Sequence, residues 1–421
     1  MSKLILVTGS TGYVATRLIP ALLSRGYRVR CLARNPGKLG YRPWRDRVEV
    51  YQGDVLTPAT LTPALQGAYA AYYFIHNMSS GQSYRENERN GARNFGEVAK
   101  ESGLQKIIYL GGLGGSKEFR HMRSREETGQ LLRESGVPTI EFRSSVIIGS
   151  GSISFELIRY ITTWLPFIPA PRQTNVPGQP IGISDLLNYL LSALDSSELF
   201  GQIIEIGGSE TLTYPDLMAE FARQRGLVRP KLALPFFIVS LSARIADRLT
   251  PVPFSIAYPL MEELTSPSVI QDATAQLLFP EFEMSSYAES VRRALGREEY
   301  FPGAPWTASL VTREPLMGGH VRTSGEGFLI DYREKSAEYS PELIAQLFNE
   351  ITGIGWTIEA QEEGKWIRFR SKKKLPGVMR VEFQYTNRKL TQTVMFDPFG
   401  LPGMFWWYSL SSLHSDTFPR T

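Results

Sequence analysis

The chain of 421 residues holds a single cysteine, Cys31. No intrachain disulfide can form, which suits a reducing compartment. Cys31 lies inside an apolar run and reads as a core residue rather than a nucleophile. Histidine is scarce too, scattered at His76, His121, His320 and His414. One thiol and no clustered imidazoles give no metal-binding motif, so no metal is expected. An excess of charge of one sign is also lacking, since the formal net charge is +4. That mild balance suits an anionic cofactor and is too weak for a nucleic-acid partner. No apolar run is long enough to span a bilayer as an integral segment. The longest, Leu232 to Ala246, is interrupted by Pro235 and Arg244. It predicts a buried helix, with an in-plane membrane contact as the alternative. Met-Ser-Lys passes straight into an apolar strand, so no secretory signal is expected and a cytoplasmic location is.

What is present is ample core material. Hydrophobic residues make up 42% of the chain and charged residues 21%, in the ordinary globular range. The length suggests two to three domains. Short apolar runs predict strands at 3–8, 28–33, 48–53, 70–76, 106–112 and 139–149, with a seventh in QIIEIGG. Amphipathic segments between them predict helices, among them 14–25, 93–102 and 125–135. Alternation of this kind implies an α/β fold, a doubly wound parallel sheet with helices on both faces. This Rossmann core is assigned to 1–205. Residues 206–298 read as a mainly helical, substrate-side region, and a helix over 185–194 is expected to be capped by Ser184. From 299 to 421 the pattern turns β-rich, with one helix capped by Ser340, which predicts a separate α+β domain able to bind a ligand of its own.

The strongest motif is TGSTGYVA, Thr8 to Ala15. Gly9 permits a tight turn after the strand, Gly12 lets the backbone approach a pyrophosphate, and Ala15 keeps the helix close to the sheet. Gly9, Ser10, Thr11, Gly12, Tyr13 and Val14 therefore form the expected phosphate cradle at a helix N-terminus. No Gly-Lys-Ser/Thr follows, which disfavours a P-loop. At the end of the second strand an NAD site usually carries an acid for the ribose hydroxyls. Here Ala33-Arg34-Asn35-Pro36 stands instead, with Lys38 nearby. A guanidinium pairs well with a 2′-phosphate, so NADP(H) is expected over NAD(H). Asp54 and Val55, after the third strand, are candidates for the adenine, Asp54 accepting from the amino group and Val55 lying against the ring. A turn-forming Gly53-Asp54 is the plainer reading. His76 and Asn77 after strand four, and Gly111 and Gly112 after strand five, lie at the strand ends where ligands bind in open α/β sheets. Ser144 and Ser145 occupy the corresponding end of strand six.

VTGSTGYVA, VRCLARNP, YQGDV and IIYLGGLG together resemble the atypical, NmrA-like branch of the short-chain dehydrogenase/reductase superfamily, over roughly residues 1–295. LPGVMRVEF and LTQTVMFDPFGLPGMFWWYSLSSLH resemble a bacterial domain of unknown function with a helix-grip-like fold. The superfamily resemblance implies a catalytic tyrosine with a lysine four residues later. GGSKEFRHMRSREETGQLL, which follows strand five, has no tyrosine. Its nearest equivalent is His121 and Arg125, four apart on one helix face. There His121 is the candidate proton donor and Arg125 the candidate partner of the ribose hydroxyls, with plain surface helix residues as the alternative. Two functions therefore stand side by side. One is an NADP(H)-dependent oxidoreductase that reduces an apolar or conjugated carbonyl-type small molecule. The other is a non-catalytic NADP(H)-binding redox sensor, motivated by the absent tyrosine and lysine.

Overall fold

A computed structural model gives the fold. The structure describes residues 2–39, 42, 44–76, 84–114, 119–196, 199–236, 238–250, 252–296, 312–313, 321–324, 329–336, 355–362, 365–386 and 389–409. The expected helix at 340–353, Asn77, His320 and His414 lie outside the described residues.

Seven strands form the first sheet: β1 (Leu4–Val7), β2 (Arg28–Ala33), β3 (Glu49–Gln52), β4 (Ala70–Tyr73), β5 (Lys106–Gly112), β6 (Thr139–Ser144) and β7 (Ile203–Ile206). Their spatial order is β7-β6-β5-β4-β1-β2-β3, and every pairing is parallel. Order reverses beside β1, between it and β4, which opens the crevice where such sheets take ligands. Helices α1 (Tyr13–Ser24), α2 (Tyr84–Glu101) and α3 (Arg120–Glu134) cover the faces. Apolar residues packed on both sides explain why β1, β4 and β5 are buried along their full length. One apolar cluster holds Ile5, Val7, Leu18, Leu22 and Phe142, and the other face holds Leu6, Phe95, Tyr73 and Tyr109. Cys31 is buried in the first, where burial pushes its thiol pKa up to about 12. That is the core role expected for it.

Three local expectations differ from the fold. Helices α2 and α3 begin well before residues 93 and 125. Their first turns are too polar to show apolar periodicity. They are held by each other, through a Ser124–Glu88 hydrogen bond and an Arg85–Glu127 ion pair. Strand β6 ends at Ser144, and the chain then forms a separate two-residue strand, Ile147–Ile148, paired with Ile181–Gly182. The next helix, Ile183–Ser192, is capped by Gly182, so Ser184 falls inside its first turn.

Helix α4 (Ile153–Trp164) lies between β6 and β7 in sequence, and after β7 come α5 (Tyr214–Gln224), α6 (Val239–Leu249), α7 (Phe254–Glu263) and α8 (Tyr287–Gly296). Helix α5 carries a full capping box between Thr213 and Asp216. The stretch Leu232 to Ala246 is not the buried helix its apolarity suggests. It divides into a strand, Lys231–Leu234, and α6, and Leu232, Phe236, Ile238, Leu241 and Ile245 are exposed. From α6 the small residues Ala243 and Ala246 are buried in the core, and Val239 at its start packs partly against the same cluster.

A second, antiparallel sheet follows: β8 (Thr312–Arg313), β9 (Val321–Ser324), β10 (Leu329–Ser336), β11 (Trp356–Glu362), β12 (Trp366–Ser371), β13 (Gly377–Thr386) and β14 (Lys389–Pro398), in the order β8-β9-β10-β14-β13-β12-β11. Helix α9 (Gly400–Ser409) packs Trp407 onto Phe396, the rings stacked with centroids 5.3 Å apart. Trp164 of α4 joins this cluster. Arg225 also bridges the two parts, with a bidentate bond to Asp397 at 2.8 and 3.1 Å.

Candidate functional site

A cavity of about 350 Å³ opens at the C-terminal ends of β1, β4, β5 and β6. At one end lies the turn after β1. Gly12 donates to the Gly9 carbonyl at 2.8 Å, closing the turn. Gly9 has φ +59, and a Cβ there would sit 2.5 Å from the Phe74 carbonyl oxygen. Only glycine meets both demands. Gly12 then serves as N-cap of α1 without a side-chain cap, and no acid stands in the first turn. Uncapped N–H groups and the positive helix end make this a place for an anion, as a dinucleotide's pyrophosphate requires.

The motif residues divide into two kinds. Gly9, Gly12, Tyr13, Val14 and Ala15 line the cavity. Ser10 turns inward, and its buried hydroxyl donates to the Leu32 carbonyl at 3.0 Å, pinning the turn to β2. Thr11 is exposed and is not among the lining residues.

Arg34 stands exposed at the end of β2, outside the lining. Its position beside the turn is open to solvent, and among the described residues no ion pair occupies its guanidinium. The Asp54 carboxylate accepts from the Leu56 N–H at 3.0 Å and so closes its own turn. Val55 is buried in the core against Gly91 rather than presented on the surface. Both therefore serve the local fold, whatever else they contact.

His76, Gly111 and Gly112 line the cavity's middle. Burial, then the charge of Arg125, pushes the His76 pKa down to about 3, outweighing a hydrogen bond from the ring to the Leu110 backbone. It is a neutral imidazole at working pH. Ser144 and Ser145 line the same wall, and the Ser145 and Ser268 hydroxyls are 2.7 Å apart.

The far end is mostly apolar, with Phe119, Met122, Ile153 and Leu260, and its charged groups are Arg125 and Glu263. His121 and Arg125 were expected to share one pocket. Arg125 lines it and His121 does not. The His121 ring is buried instead against α7, its Nε2 2.7 Å from Glu263 Oε1. It is thus neither a surface residue nor a direct wall of the cavity. Glu263 stands between, its side chain 24% exposed, enough to face the cavity while its other side meets the imidazole. Burial alone would raise the Glu263 pKa. The hydrogen bond from His121 and the charges of Arg125 and His121 outweigh that and hold it below its ordinary 4.5. Tyr214 also lines this end, and burial followed by the Glu263 charge pushes its pKa well above 10, so its hydroxyl stays protonated. Neither Glu263 nor Tyr214 is foreshadowed by sequence. Glu263 lies 142 residues from His121, in an apolar stretch with no motif of its own.

Residues 9–137 match the model of an NAD(P)H-binding family. The chain is 23% identical over 261 residues to photosystem II assembly factor Ycf39 of Cyanophora paradoxa, covering 58% of this chain and 79% of that one. It is 25% identical over 146 residues to cinnamoyl-CoA reductase 1 of Oryza sativa subsp. japonica, covering 33% of this chain and 42% of that enzyme. The chain therefore spans less than half the length of that reductase. Among solved structures, Citrobacter sp. triphenylmethane reductase complexed with NADP(H) superposes with TM-score 0.55 at 16% identity, over 70% of this chain and 100% of that one. NADPH-dependent quinone oxidoreductase QOR2 of Escherichia coli, complexed with NADPH, gives TM-score 0.54 at 20% identity, over 69% and 99%. At these identities the likeness to the two structures is one of fold.

Proposed function

We propose that the protein, whose residues 9–137 match the model of an NAD(P)H-binding family, is an NADP(H)-dependent reductase of an apolar or conjugated carbonyl-type small molecule. The observation that carries this reading is the single cavity running from the uncapped start of α1 to an apolar chamber with Arg125, Glu263 and Tyr214 at its end. Neighbours of like fold include complexes with NADPH or NADP(H) and others with NAD, so the choice of NADP(H) rests on Arg34. The Gly9–Val14 turn would hold the pyrophosphate, with Gly9, Gly12, Tyr13 and Val14 in contact. Arg34 would pair with the 2′-phosphate, Asp54 would border the adenine with Val55 packed beneath it in the core, and His76 and Gly111 would flank the nicotinamide side.

When bound, the reduced cofactor supplies a hydride to the carbonyl carbon. The protein's task is to polarise the carbonyl and deliver a proton to its oxygen. Arg125, always charged, stabilises the negative charge that develops on that oxygen. Tyr214 offers a neutral O–H donor. His121 acts from behind, passing a proton through the Glu263 carboxyl to the cavity rather than donating directly. Hydride and proton together convert the carbonyl to an alcohol and leave the cofactor oxidised. The apolar walls select a substrate with little charge.

Turnover with a panel of quinones and conjugated aldehydes, using NADPH, tests the reading. The wild type should reduce at least one class, and His121→Phe should abolish turnover while NADPH binding persists. Full activity in that variant would remove His121 from the mechanism. A second reading, the NADP(H)-sensing module, is favoured by one observation: His121 lies outside the cavity lining. It predicts no turnover with any panel member and a marked difference in affinity between NADPH and NADP⁺.

A further inference from the structure

Helix α6 is inverted relative to an ordinary surface helix. Its small residues Ala243 and Ala246 are fully buried, packed among Leu157, Val252, Ala257 and Met261. Two of its large apolar residues, Leu241 and Ile245, point outward, with Leu241 53% exposed. Ile238, Leu241, Arg244, Ile245 and Arg248 recur at spacings of three and four and so share one outward face. Phe236, just before the helix, is 75% exposed, and Leu232 extends the same apolar segment. Soluble surfaces rarely keep so many large apolar side chains on one short segment without a partner.

The charges on this segment identify the partner. Arg244 and Arg248 are exposed, and neither is in an ion pair among the described residues. Lys231 is paired with Asp216, and Asp247 is half-buried and accepts from the Phe254 N–H at 3.0 Å. No acidic residue from 226 to 248 is classed as exposed. A face of bulky apolar groups interleaved with arginine matches the boundary between acyl chains and anionic headgroups. A second copy of the chain fits poorly. A two-fold contact sets a patch against itself, and this patch offers no exposed carboxylate to meet Arg244 and Arg248.

We propose that this face docks onto the surface of an anionic lipid bilayer, without crossing it. Phe236, Leu241 and Ile245 enter the acyl boundary, and Arg244 and Arg248 meet lipid phosphates. No helix among the described residues is long and apolar enough to cross a membrane, so the association is peripheral. Helix α6 packs on α7, which carries Leu260 and Glu263 in the cavity wall. Docking thus sets the cavity one helix away from the lipid surface. The proposal does not depend on which reaction the cavity performs.

Flotation of the full chain with vesicles tests it, comparing phosphatidylcholine alone with phosphatidylcholine containing about 30% phosphatidylglycerol. The wild type should float with the anionic vesicles and stay behind with the neutral ones, and added salt should weaken binding. Leu241→Ser with Ile245→Ser should lower the bound fraction by about tenfold or more. Arg244→Gln with Arg248→Gln, a change confined to exposed side chains, should abolish the preference for anionic vesicles. An unchanged melting temperature in both variants shows that the fold is intact. Failure of the wild type to float with either vesicle overturns the proposal, as does wild-type flotation in both variants. Concentration-dependent dimerisation by light scattering, lost in the serine variant and unaccompanied by flotation, would assign the face to a second copy instead.

Discussion

The two ends of the cavity are built in opposite ways. The end at α1 is made of backbone: a turn closed by Gly9 and Gly12 and the free N–H groups that follow. The far end is made of side chains brought from remote parts of the chain, Arg125 from α3, Tyr214 from α5 and Glu263 from α7. A backbone site is specified by a few consecutive residues. A side-chain site is specified by how distant elements pack, and its members can exchange positions during divergence. His121, the expected direct proton donor, does not line the cavity and touches two residues that do, Glu263 and Phe119.

Substitutions at the two ends should therefore fail differently. Gly9→Val should have the largest effect. It forces a β-branched residue to positive φ and drives Cβ into the Phe74 carbonyl, so chemical unfolding should show a loss of about 3 kcal/mol together with loss of cofactor binding. Glu263→Gln should spare NADPH binding and lower turnover by about 100-fold in steady-state assays. That substitution also has a pH signature. The folded pKa of Glu263 lies below its ordinary 4.5, so its stabilising contribution is complete above that value and is lost as pH falls through the folded one. The stability gap between wild type and variant should be widest near neutrality and close in acid. Equal gaps at both pH values would mean that the carboxylate's charge does not matter to the fold. Arg34→Ala should weaken NADPH by about tenfold or more in a fluorescence titration and leave NADH nearly unchanged. Equal losses for both cofactors would deny Arg34 a role at the 2′-phosphate. Ser10→Ala should have the smallest effect, about 1 kcal/mol for the lost bond to Leu32, with cofactor affinity unaltered. A large loss of affinity there would show that both kinds of motif residue contact the cofactor.

The same division governs what could be read before the fold was known. The central strands β1, β4 and β5 are legible as short apolar runs because a strand covered on both faces must be apolar, and the edge strand β3, Glu49–Gln52, shows instead the alternation of a half-exposed strand. TGSTGYVA is legible because its demands are local. The starts of α2 and α3 are not, since Arg85, Glu88, Ser124 and Glu127 stabilise each other across the pair of helices and leave no period in either one. Glu263 has no local signal either, as its neighbour His121 is far away in sequence. The stretch from Leu232 to Ala246 misleads for a different reason. Apolarity there marks exposure, and burial falls to two alanines.

Helix α4 ties four parts of the molecule together. Its Phe155 sits in one apolar cluster, its Leu157 in a second and its Trp164 in the cluster of the antiparallel sheet, while Ile153 lines the cavity. A chain cut after α8 would leave Trp164 facing water and Arg225 without Asp397. The parallel half should then be recovered poorly as a separate fragment, prone to aggregate. Within the intact chain the shared helix should make the two sheets melt together, seen in calorimetry as one cooperative transition rather than two.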